Sequence, residues 1–219
     1  MEKVAVVLPR GSFVPDKTQG AIQTNAFESA KLYRKHEPYI FSSAIKGKPA
    51  IETVSNVNII RIADRVFDLM LGDDTAYVSR VASEIHGSAI KLVHIRNRPV
   101  YALKLRKILG SSAKIILHQQ NQNIADTLSR KNAIEVLNSI DAYVGVSKFT
   151  MDYEIANKYP EFADKAHFIF RRSETCGRYG PGRSRTHGKT LFVGARCRRD
   201  RIIIWFIAEI ILFLRTIRK

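Results

Sequence analysis

Residues 114–123 read KIILHQQNQN, a short apolar run followed by six side chains that can all form hydrogen bonds. A strand that is buried on both faces is a continuous apolar run, whereas a half-buried strand alternates. The pattern therefore predicts a central strand whose carboxyl end opens into a polar crevice, which is where open α/β sheets bind ligands. The alternative interpretation is a polar turn that caps the helix that follows.

Apolar runs of strand length recur along the first 170 residues and alternate with segments of helical spacing. The predicted strands cover residues 4–8, 39–43, 58–63, 92–95, 114–117, 141–146 and 167–170, and the predicted helices cover 21–35, 73–85, 99–109, 124–139 and 148–158. This alternation predicts an α/β fold, a Rossmann-like parallel sheet flanked by helices. Right-handed crossovers place every strand-to-helix loop along one edge of that sheet.

Several single residues carry local predictions. Ser147 precedes the helical pattern at 148–158 and is predicted to cap that helix with its hydroxyl. His36 and His86 are predicted to be solvated on helices, and His94, inside an apolar strand, to be a hydrogen-bonded core residue. Asp141 begins a strand, which favours a cap or turn residue over a catalytic base.

The loop after the first predicted strand bears on phosphate binding. It contains no GxGxxG motif, and this argues against a nicotinamide enzyme. Gly20 stands just before a helix, where backbone N–H groups and the helix dipole favour a phosphate. The alternative interpretation of Gly20 is a simple turn.

The composition is that of a globular protein with one strongly basic segment. Hydrophobic residues make up 45% and charged residues 26% of the 219, enough for one substantial domain. The net charge of +16 is uneven, because residues 1–170 carry 23 Lys and Arg against 17 Asp and Glu, whereas residues 171–219 carry 13 against 3. This basic tail (residues 171–219) can bind nucleic acid or an anionic membrane, or can lack a partner.

Cysteine usage and the start of the chain indicate the compartment. Cys176 and Cys197 both lie in the basic tail at a spacing that matches no zinc pattern, so we expect no disulfide framework and no metal site. The opening MEKVAVVLP fits a first strand better than a secretory segment and predicts a cytoplasmic protein. The apolar run at 202–214 is shorter than the roughly 20 residues that span a bilayer, but its Arg flanks suit peripheral contact with an anionic inner membrane face.

An ordered set of segments carries a family resemblance. The segments KVAVVLP, VHIRNRP, KIILHQQNQN, DAYVGVSKF and KAHFIF resemble, in order and spacing, the N-terminal domain of glycosyltransferase family 4. That family has the type B architecture, in which two Rossmann-like domains face each other. The resemblance covers residues 1–170 and implies the acceptor-side domain of an enzyme of polysaccharide biosynthesis. It would transfer a sugar from a nucleotide-sugar to a glycan or lipid-linked acceptor, as a hexosyltransferase with a retaining outcome.

The resemblance also implies which residues would line the cleft. His118, at the end of its strand, would be the catalytic residue that orients a sugar hydroxyl or a phosphate. Gly20 would face the donor phosphates, and the guanidinium groups of Arg96 and Arg98 suit anionic groups. The remaining predicted substrate-binding residues are Asn121, Ser147 and Lys148. No metal and no cofactor other than the nucleotide-sugar co-substrate is expected.

After Gly194 the resemblance stops. Where the family has Asn-Gly-Val-Asp, this chain reads RRSETCG, and the family's acidic pair eight residues apart has no match, because Asp200 and Glu209 are nine apart. We therefore predict a linker at 171–189 and a second-domain remnant or aberrant apolar tail at 190–219, in a truncated or frame-shifted gene product. The chain alone is expected to be inactive.

Two other functions stay open at this point. The first is a non-catalytic Rossmann-like module whose basic tail binds nucleic acid or an anionic membrane. Nucleic acid is not the expected partner, because the five aromatic residues of the tail are scattered and form no stacking platform. The second is a nucleotide-sugar epimerase of the same two-domain shape, which would convert a free nucleotide-sugar without an acceptor.

Overall fold

The computed structural model describes residues 1–15, 20–64, 74–121 and 124–168. Several sequence predictions lie outside these residues. They are the linker at 171–189, the second-domain segment at 190–219 with its apolar run, both cysteines, and the last two residues of the 114–123 stretch. The boundary predicted at residue 170 also lies outside them.

One mostly parallel sheet of eight strands organises the described residues. Its order is β3-β4-β2-β1-β5-β6-β7-β8, and β3 alone runs antiparallel to its neighbour. The strands are β1 (Glu2–Val7), β2 (His36–Ser43), β3 (Ile51–Val54), β4 (Val57–Ile62), β5 (Leu92–Arg96), β6 (Lys114–Gln119), β7 (Ala142–Gly145) and β8 (Ala166–Phe168). The predicted α/β fold, with a Rossmann-like sheet flanked by helices, is confirmed.

Helices occupy most connections between the parallel strands. They are α1 (Ala21–Ala30), α2 (Thr75–Gly87), α3 (Pro99–Leu109), α4 (Ile124–Thr127), α5 (Arg130–Ser139) and α6 (Lys148–Met151), which continues as a π-helix, Asp152–Ala156. Short 3-10 turns lie after α3 at Gly110–Ser112 and before β8 at Pro160–Lys165. Within the described ranges, every helix is too short or too polar to cross a membrane.

β6 is the central strand that residues 114–117 predict, but it is longer. It continues to Gln119 and lies between β5 and β7, in a register that pairs His118 with Arg96 and Gln119 with Gly145. The side chains of His118 and Gln119 project from the two faces of the sheet and are buried there instead of opening into a crevice. The polar crevice predicted at this strand end is therefore not formed by these two residues.

The two faces of the sheet bury different helices. Successive residues of a strand point to opposite faces, so the residues of β1 divide between apolar clusters on the two faces. Ala5 and Val7 belong to the cluster that contains α2, α3 and α5, whereas Val6 and Leu8 pack with Ala26 and other residues of α1. Burial of these apolar surfaces, at about 25 cal/mol per Å², is the main stabilisation of the fold.

Several local predictions are wrong. The helix predicted over 124–139 is two helices, α4 and α5, and the other errors concern the first third of the chain. The helix predicted over 21–35 ends at Ala30, and His36 is not solvated on a helix but begins β2 with 5% exposure. Pro38 suits the strand, because it favours extended conformation at the residue before it, Glu37. The strand β3 is missing from the prediction, because its residues alternate in exposure along a sheet edge and form a hairpin with β4 through Ser55 at φ 60°.

Asp141 joins three segments at the amino edge of the sheet, the edge at which the parallel strands begin. Its carboxylate accepts hydrogen bonds from Arg106 Nη2 (2.6 Å), Lys114 Nζ (2.9 Å) and the backbone N–H of Ile115 (2.8 Å). Burial acts to raise the pKa of Asp141, but these three donors outweigh it and lower that pKa. The residue is therefore a structural carboxylate, consistent with its predicted role as a cap or turn residue.

We expect Asp141→Ala to lower the free energy of unfolding by about 2 kcal/mol, because it leaves Nη2 of Arg106 and the Ile115 N–H without their acceptor. Urea denaturation at pH 7 measures the change. The matched control is Asp164→Ala, an exposed carboxylate at the same edge, which should change stability by less than about 0.5 kcal/mol. Because the folded-state pKa of Asp141 is lowered, its contribution is present above its usual pKa and is lost as the pH falls below it. Equal effects of the two substitutions would contradict this assignment.

Candidate functional site

The carboxyl ends of β1, β5, β6 and β7 lie side by side and define what we call the carboxyl edge. Parallel pairing of β1 with β5, β5 with β6 and β6 with β7 brings the loops after these strands together. Every sequence-predicted site residue belongs to one of these loops or to the last residues of a strand there. The topology therefore collects the predicted residues at one edge of the sheet.

α1 begins at this edge, directly after Gly20. Gly20 is extended (φ −71°, ψ 170°), and the first turn of α1 contains no acidic residue and receives no side-chain cap from the described residues. A Cβ on Gly20 would meet only the flexible Gln23 side chain, at 3.2 Å. The helix N-terminus can thus accept an anion through its dipole, but nothing in the conformation of Gly20 requires a glycine.

Arg96, predicted from sequence to bind substrate, has a side chain that is buried between β5 and α1. Its residue is 1% exposed, and its guanidinium contacts His118 Nδ1 (2.5 Å), Asn25 Oδ1 (3.1 Å) and Ser29 Oγ (3.2 Å). Burial, opposed by the nearby Tyr33, lowers its pKa to about 10, so the group stays charged at neutral pH. The structure therefore shows Arg96 engaged with the protein itself.

His118, predicted to be the catalytic residue, is buried beside Arg96. Its ring stacks on that of His94, with centroids 5.3 Å apart and an interplanar angle of 7°. Burial lowers the pKa of both histidines well below the usual value, and the charge of Arg96 lowers both further. Each imidazole is accordingly neutral at pH 7. The prediction that His94 is a core residue is confirmed by its 2% exposure, but the predicted hydrogen bond is not seen at Nε2, which is buried without a partner among the described residues.

Three further predicted residues lie around the carboxyl edge and differ in exposure and in the hydrogen bonds of their side chains. Arg98 is exposed. Ser147 caps α6, as predicted, because its Oγ accepts the N–H of Thr150 at 3.0 Å. Lys148 is exposed but hydrogen-bonds to Asp152 one turn later. Of these three, only Arg98 has a side chain with no hydrogen bond or ion pair within the described residues, although its charge acts to lower the pKa of Tyr101.

The loop after β6 is held by a residue that the sequence reasoning missed. Asn97 has a left-handed backbone (φ 51°), donates its N–H to His118 O (3.0 Å) and accepts the N–H of Gln120 on Oδ1 (2.5 Å). Asn121 follows and is exposed. An Asn directly after a strand was the available signal, because Asn adopts the left-handed region more readily than other side chains.

Glu154 is a second residue that the sequence reasoning missed. It is 0% exposed, and its Oε2 accepts the N–H groups of Ile124 (2.8 Å) and Ala125 (3.0 Å) at the start of α4. Its raised pKa results from burial, against which the two N–H groups act. No spacing rule pointed to it, because a π-helix, with its i to i+5 bonding, places it.

Gly145 ends β7 where the chain turns into α6. A Cβ there would lie 3.0 Å from the backbone N of Met151 and 3.3 Å from Ser147 O. Backbone atoms cannot yield as a side chain can, so this glycine permits the close approach of α6 to the strand end. A glycine inside a strand pattern is the sequence signal for such an approach.

A cavity of about 520 Å³ lies away from these residues, at the amino edge. Its lining includes Arg106, Lys114, Asp141, Lys165 and His167. The cations there serve the fold, since Arg106 and Lys114 bind Asp141 and Lys165 donates to the carbonyls of Leu137 (3.2 Å) and Ile140 (3.0 Å). We therefore place the candidate site at the carboxyl edge and not in this cavity.

Comparison with known proteins finds likenesses in sequence and in structure. No family model matches the chain. Spore coat protein SA of Bacillus subtilis (strain 168) is 27% identical over 170 residues, which are 77% of this chain. The chain spans only 42% of the length of that relative.

The structural likenesses concern the fold. Sucrose-phosphate synthase from Thermosynechococcus elongatus superposes with a TM-score of 0.52 at 9% identity, over 79% of this chain and 91% of that one. A glycosyltransferase from Rickettsia africae ESF-5 gives a TM-score of 0.48 at 17% identity, over 78% and 43%, and at that score we draw nothing from it. The described residues thus share the fold of the sucrose-phosphate synthase chain.

Proposed function

We propose that this domain is the acceptor-side half of a glycosyltransferase, which transfers a sugar from a nucleotide-sugar to a glycan or lipid-linked acceptor. The carboxyl edge carries the proposal. There the N-terminus of α1, free of acidic residues, stands among four strand ends with the exposed Arg98 and Asn121. Departure of a nucleoside diphosphate needs its negative charge stabilised, and positive groups and helix N-termini supply that stabilisation.

The comparisons support the reaction class. Sucrose-phosphate synthase, whose fold this chain shares, is itself a glycosyltransferase. The name of the sequence relative says where that protein occurs and not which reaction it catalyses. The family resemblance of the sequence adds the type B architecture, a retaining hexosyl transfer and polysaccharide biosynthesis to the proposal.

Each candidate residue has its own role in this proposal. Gly20 and the start of α1 lie near the donor phosphates, Arg98 pairs with a phosphate or carboxylate oxygen, and Asn121 hydrogen-bonds the acceptor. His118, at the end of β6, orients a sugar hydroxyl or a phosphate. Ser147 and Lys148 border the acceptor side. The donor's nucleotide is bound by a second domain, with no cofactor beyond the nucleotide-sugar, in the cytoplasm or peripherally at the inner membrane face.

Amide-resolved NMR titration of the 219-residue chain with UDP-glucose and GDP-mannose tests the proposal. We expect shifts at the start of α1, at Arg98 and at Asn121. Arg98→Ala should weaken binding about five- to tenfold, since one charge-assisted hydrogen bond is worth roughly 1–1.5 kcal/mol. Lys107→Ala, an exposed cation in the last turn of α3, is the matched control and should leave affinity unchanged. Shifts confined to the amino edge, or none at millimolar ligand, would overturn the proposal.

Turnover separates the proposal from its alternatives. We expect none from this chain alone, and transfer to an acceptor by the purified chain would contradict that expectation. Conversion of free UDP-glucose without acceptor would identify an epimerase. The charge of the basic tail, 13 Lys and Arg against 3 acids, favours the non-catalytic binding module as the second candidate. A salt-dependent gel shift, or vesicle binding, that disappears on deletion of residues 171–219 would support that module.

A further inference from the structure

Arg96 is a buried cation whose described contacts include no carboxylate. Its two terminal nitrogens donate to His118 Nδ1 (2.5 Å), Asn25 Oδ1 (3.1 Å) and Ser29 Oγ (3.2 Å). Burial of a guanidinium is costly unless hydrogen bonds or an opposite charge compensate it. Three neutral acceptors therefore carry this compensation, so each of them is fixed in orientation by the cation.

The contact with His118 determines where the proton of that imidazole lies. A guanidinium can only donate, so Nδ1 must present its lone pair to Arg96 Nη1. A neutral imidazole carries one proton, which is then on Nε2. The ring is held parallel to His94 by stacking, and its Nε2 is buried without a protein partner in the described residues.

The other contacts join the same cation to α1. Ser29 Oγ donates to Asn25 O (2.6 Å), which leaves its lone pairs for Arg96, and Asn25 lies one turn earlier on the same helix. Ser29 is 2% exposed, so this junction is inside the protein. The helix whose N-terminus reaches the carboxyl edge is thus connected through one guanidinium to the end of β6.

We propose that Arg96 is a positioning residue that holds His118 in the Nε2–H tautomer and ties it to α1. The chemical role assigned to His118 rests on the proposed glycosyltransferase function, but the tautomer does not. In this tautomer, Nε2 is a hydrogen-bond donor and has no lone pair with which to accept a proton. Because Nε2 is buried, contact with an oxygen of the donor, a sugar hydroxyl or a phosphate, requires local opening at the end of β6, and His118 would then act as a neutral donor and not as a general base.

The sequence expectation for Arg96 changes accordingly. Three of the five N–H groups of the Arg96 guanidinium donate to protein acceptors, which leaves one on Nη1 and the one on Nε, and Nε is buried without a partner among the described residues. These two N–H groups do not form one fork, so direct bidentate contact with a ligand phosphate would require Arg96 to release at least one of its three acceptors. Arg98, two residues later, is exposed and donates to none of these acceptors, so it is the cation available to a ligand.

Long-range ¹H–¹⁵N NMR correlation of histidine rings in the full chain tests the inference without activity. We expect His118 to show a single neutral form with the proton on Nε2 between pH 6 and 8. Arg96→Met should convert this to a mixture of tautomers, while Arg98→Met, the same change at an exposed site, should leave the spectrum unaltered. A wild-type His118 protonated on Nδ1 or an unchanged tautomer in folded Arg96→Met would overturn the proposal.

Folding does not limit the test, because the wild-type spectrum alone decides the tautomer. If Arg96→Met fails to fold, Ser29→Ala removes one anchor of the guanidinium and should still broaden or shift the ring resonances of His118. The two proposals fail separately. An Nε2–H tautomer in a chain that binds no nucleotide-sugar supports the positioning role and counts against the function, whereas nucleotide-sugar binding with an Nδ1–H tautomer does the reverse.

Discussion

Acidification from pH 7 to pH 5 is expected to lower the free energy of unfolding by about 4 kcal/mol through two buried histidines. His94 and His118 are 2% and 5% exposed, and burial holds the pKa of each well below the usual value. In the unfolded chain each histidine takes up a proton as the pH falls through about 6.5. Each residue then contributes a loss of roughly 2 kcal/mol at pH 5.

The direction follows from which state binds more protons. Below pH 6.5 the unfolded chain binds them and the folded chain does not, so protonation favours unfolding. The charged group beside the two rings does not reverse this, since Arg96 is cationic and lowers the pKa of both histidines further. His167, whose pKa is also lowered by burial, acts in the same direction. Glu154 acts in the opposite direction, because its folded-state pKa is raised.

Urea denaturation at pH 7, 6 and 5 measures this dependence, and substitution isolates the two histidines. His94→Gln removes one titrating group and should reduce the slope below pH 6 by about 1.4 kcal/mol per pH unit. His86→Gln is the matched control, because His86 is exposed near the end of α2. A slope that is the same in both variants would show that His94 takes up its proton in the folded protein.

The fold was largely predictable because its signal is local and repeated. Strands buried on both faces, such as β1 and β6, must be apolar runs of strand length, and the helices between them must have an apolar stripe. The strand β3 was not predicted because it lacks such an apolar run. An edge strand with one exposed face alternates like IETV, and its short polar pattern does not differ enough from a loop.

The gathering of the candidate residues at one edge of the sheet was predictable, but the direction of their side chains was not. Parallel topology alone brings residues 96–98, 118–121 and 147–148 to one edge, so sequence order sufficed to gather them. The direction of each side chain depends on strand length and on neighbours. β6 continues two residues past its apolar run, and this turns His118 toward Arg96 and α1 instead of toward solvent. Hydrogen bonds between residues far apart in the sequence, such as that of Ile124 to Glu154, produce no pattern in the local spacing of residue types.

Replacement of Glu154 by alanine is expected to lower the free energy of unfolding by about 3 kcal/mol at pH 7, because two buried backbone N–H groups lose their acceptor. The N–H groups of Ile124 and Ala125 donate to one oxygen of this carboxylate, which comes from a π-helix 30 residues away. Glu154 is 0% exposed, so water does not replace it without local opening. The change should also increase amide hydrogen exchange across α4.

Two matched substitutions separate the acceptor from the charge. Glu154→Gln keeps an oxygen for the N–H groups and removes a charge whose burial raises its pKa, so its cost should be nearer 1 kcal/mol. Asp152→Ala removes a carboxylate from the same π-helix that pairs with the exposed Lys148, and should cost less than about 0.5 kcal/mol. If the glutamine and alanine variants were equally unstable, the buried charge and not the hydrogen-bond acceptor would hold α4 in place beside the carboxyl edge.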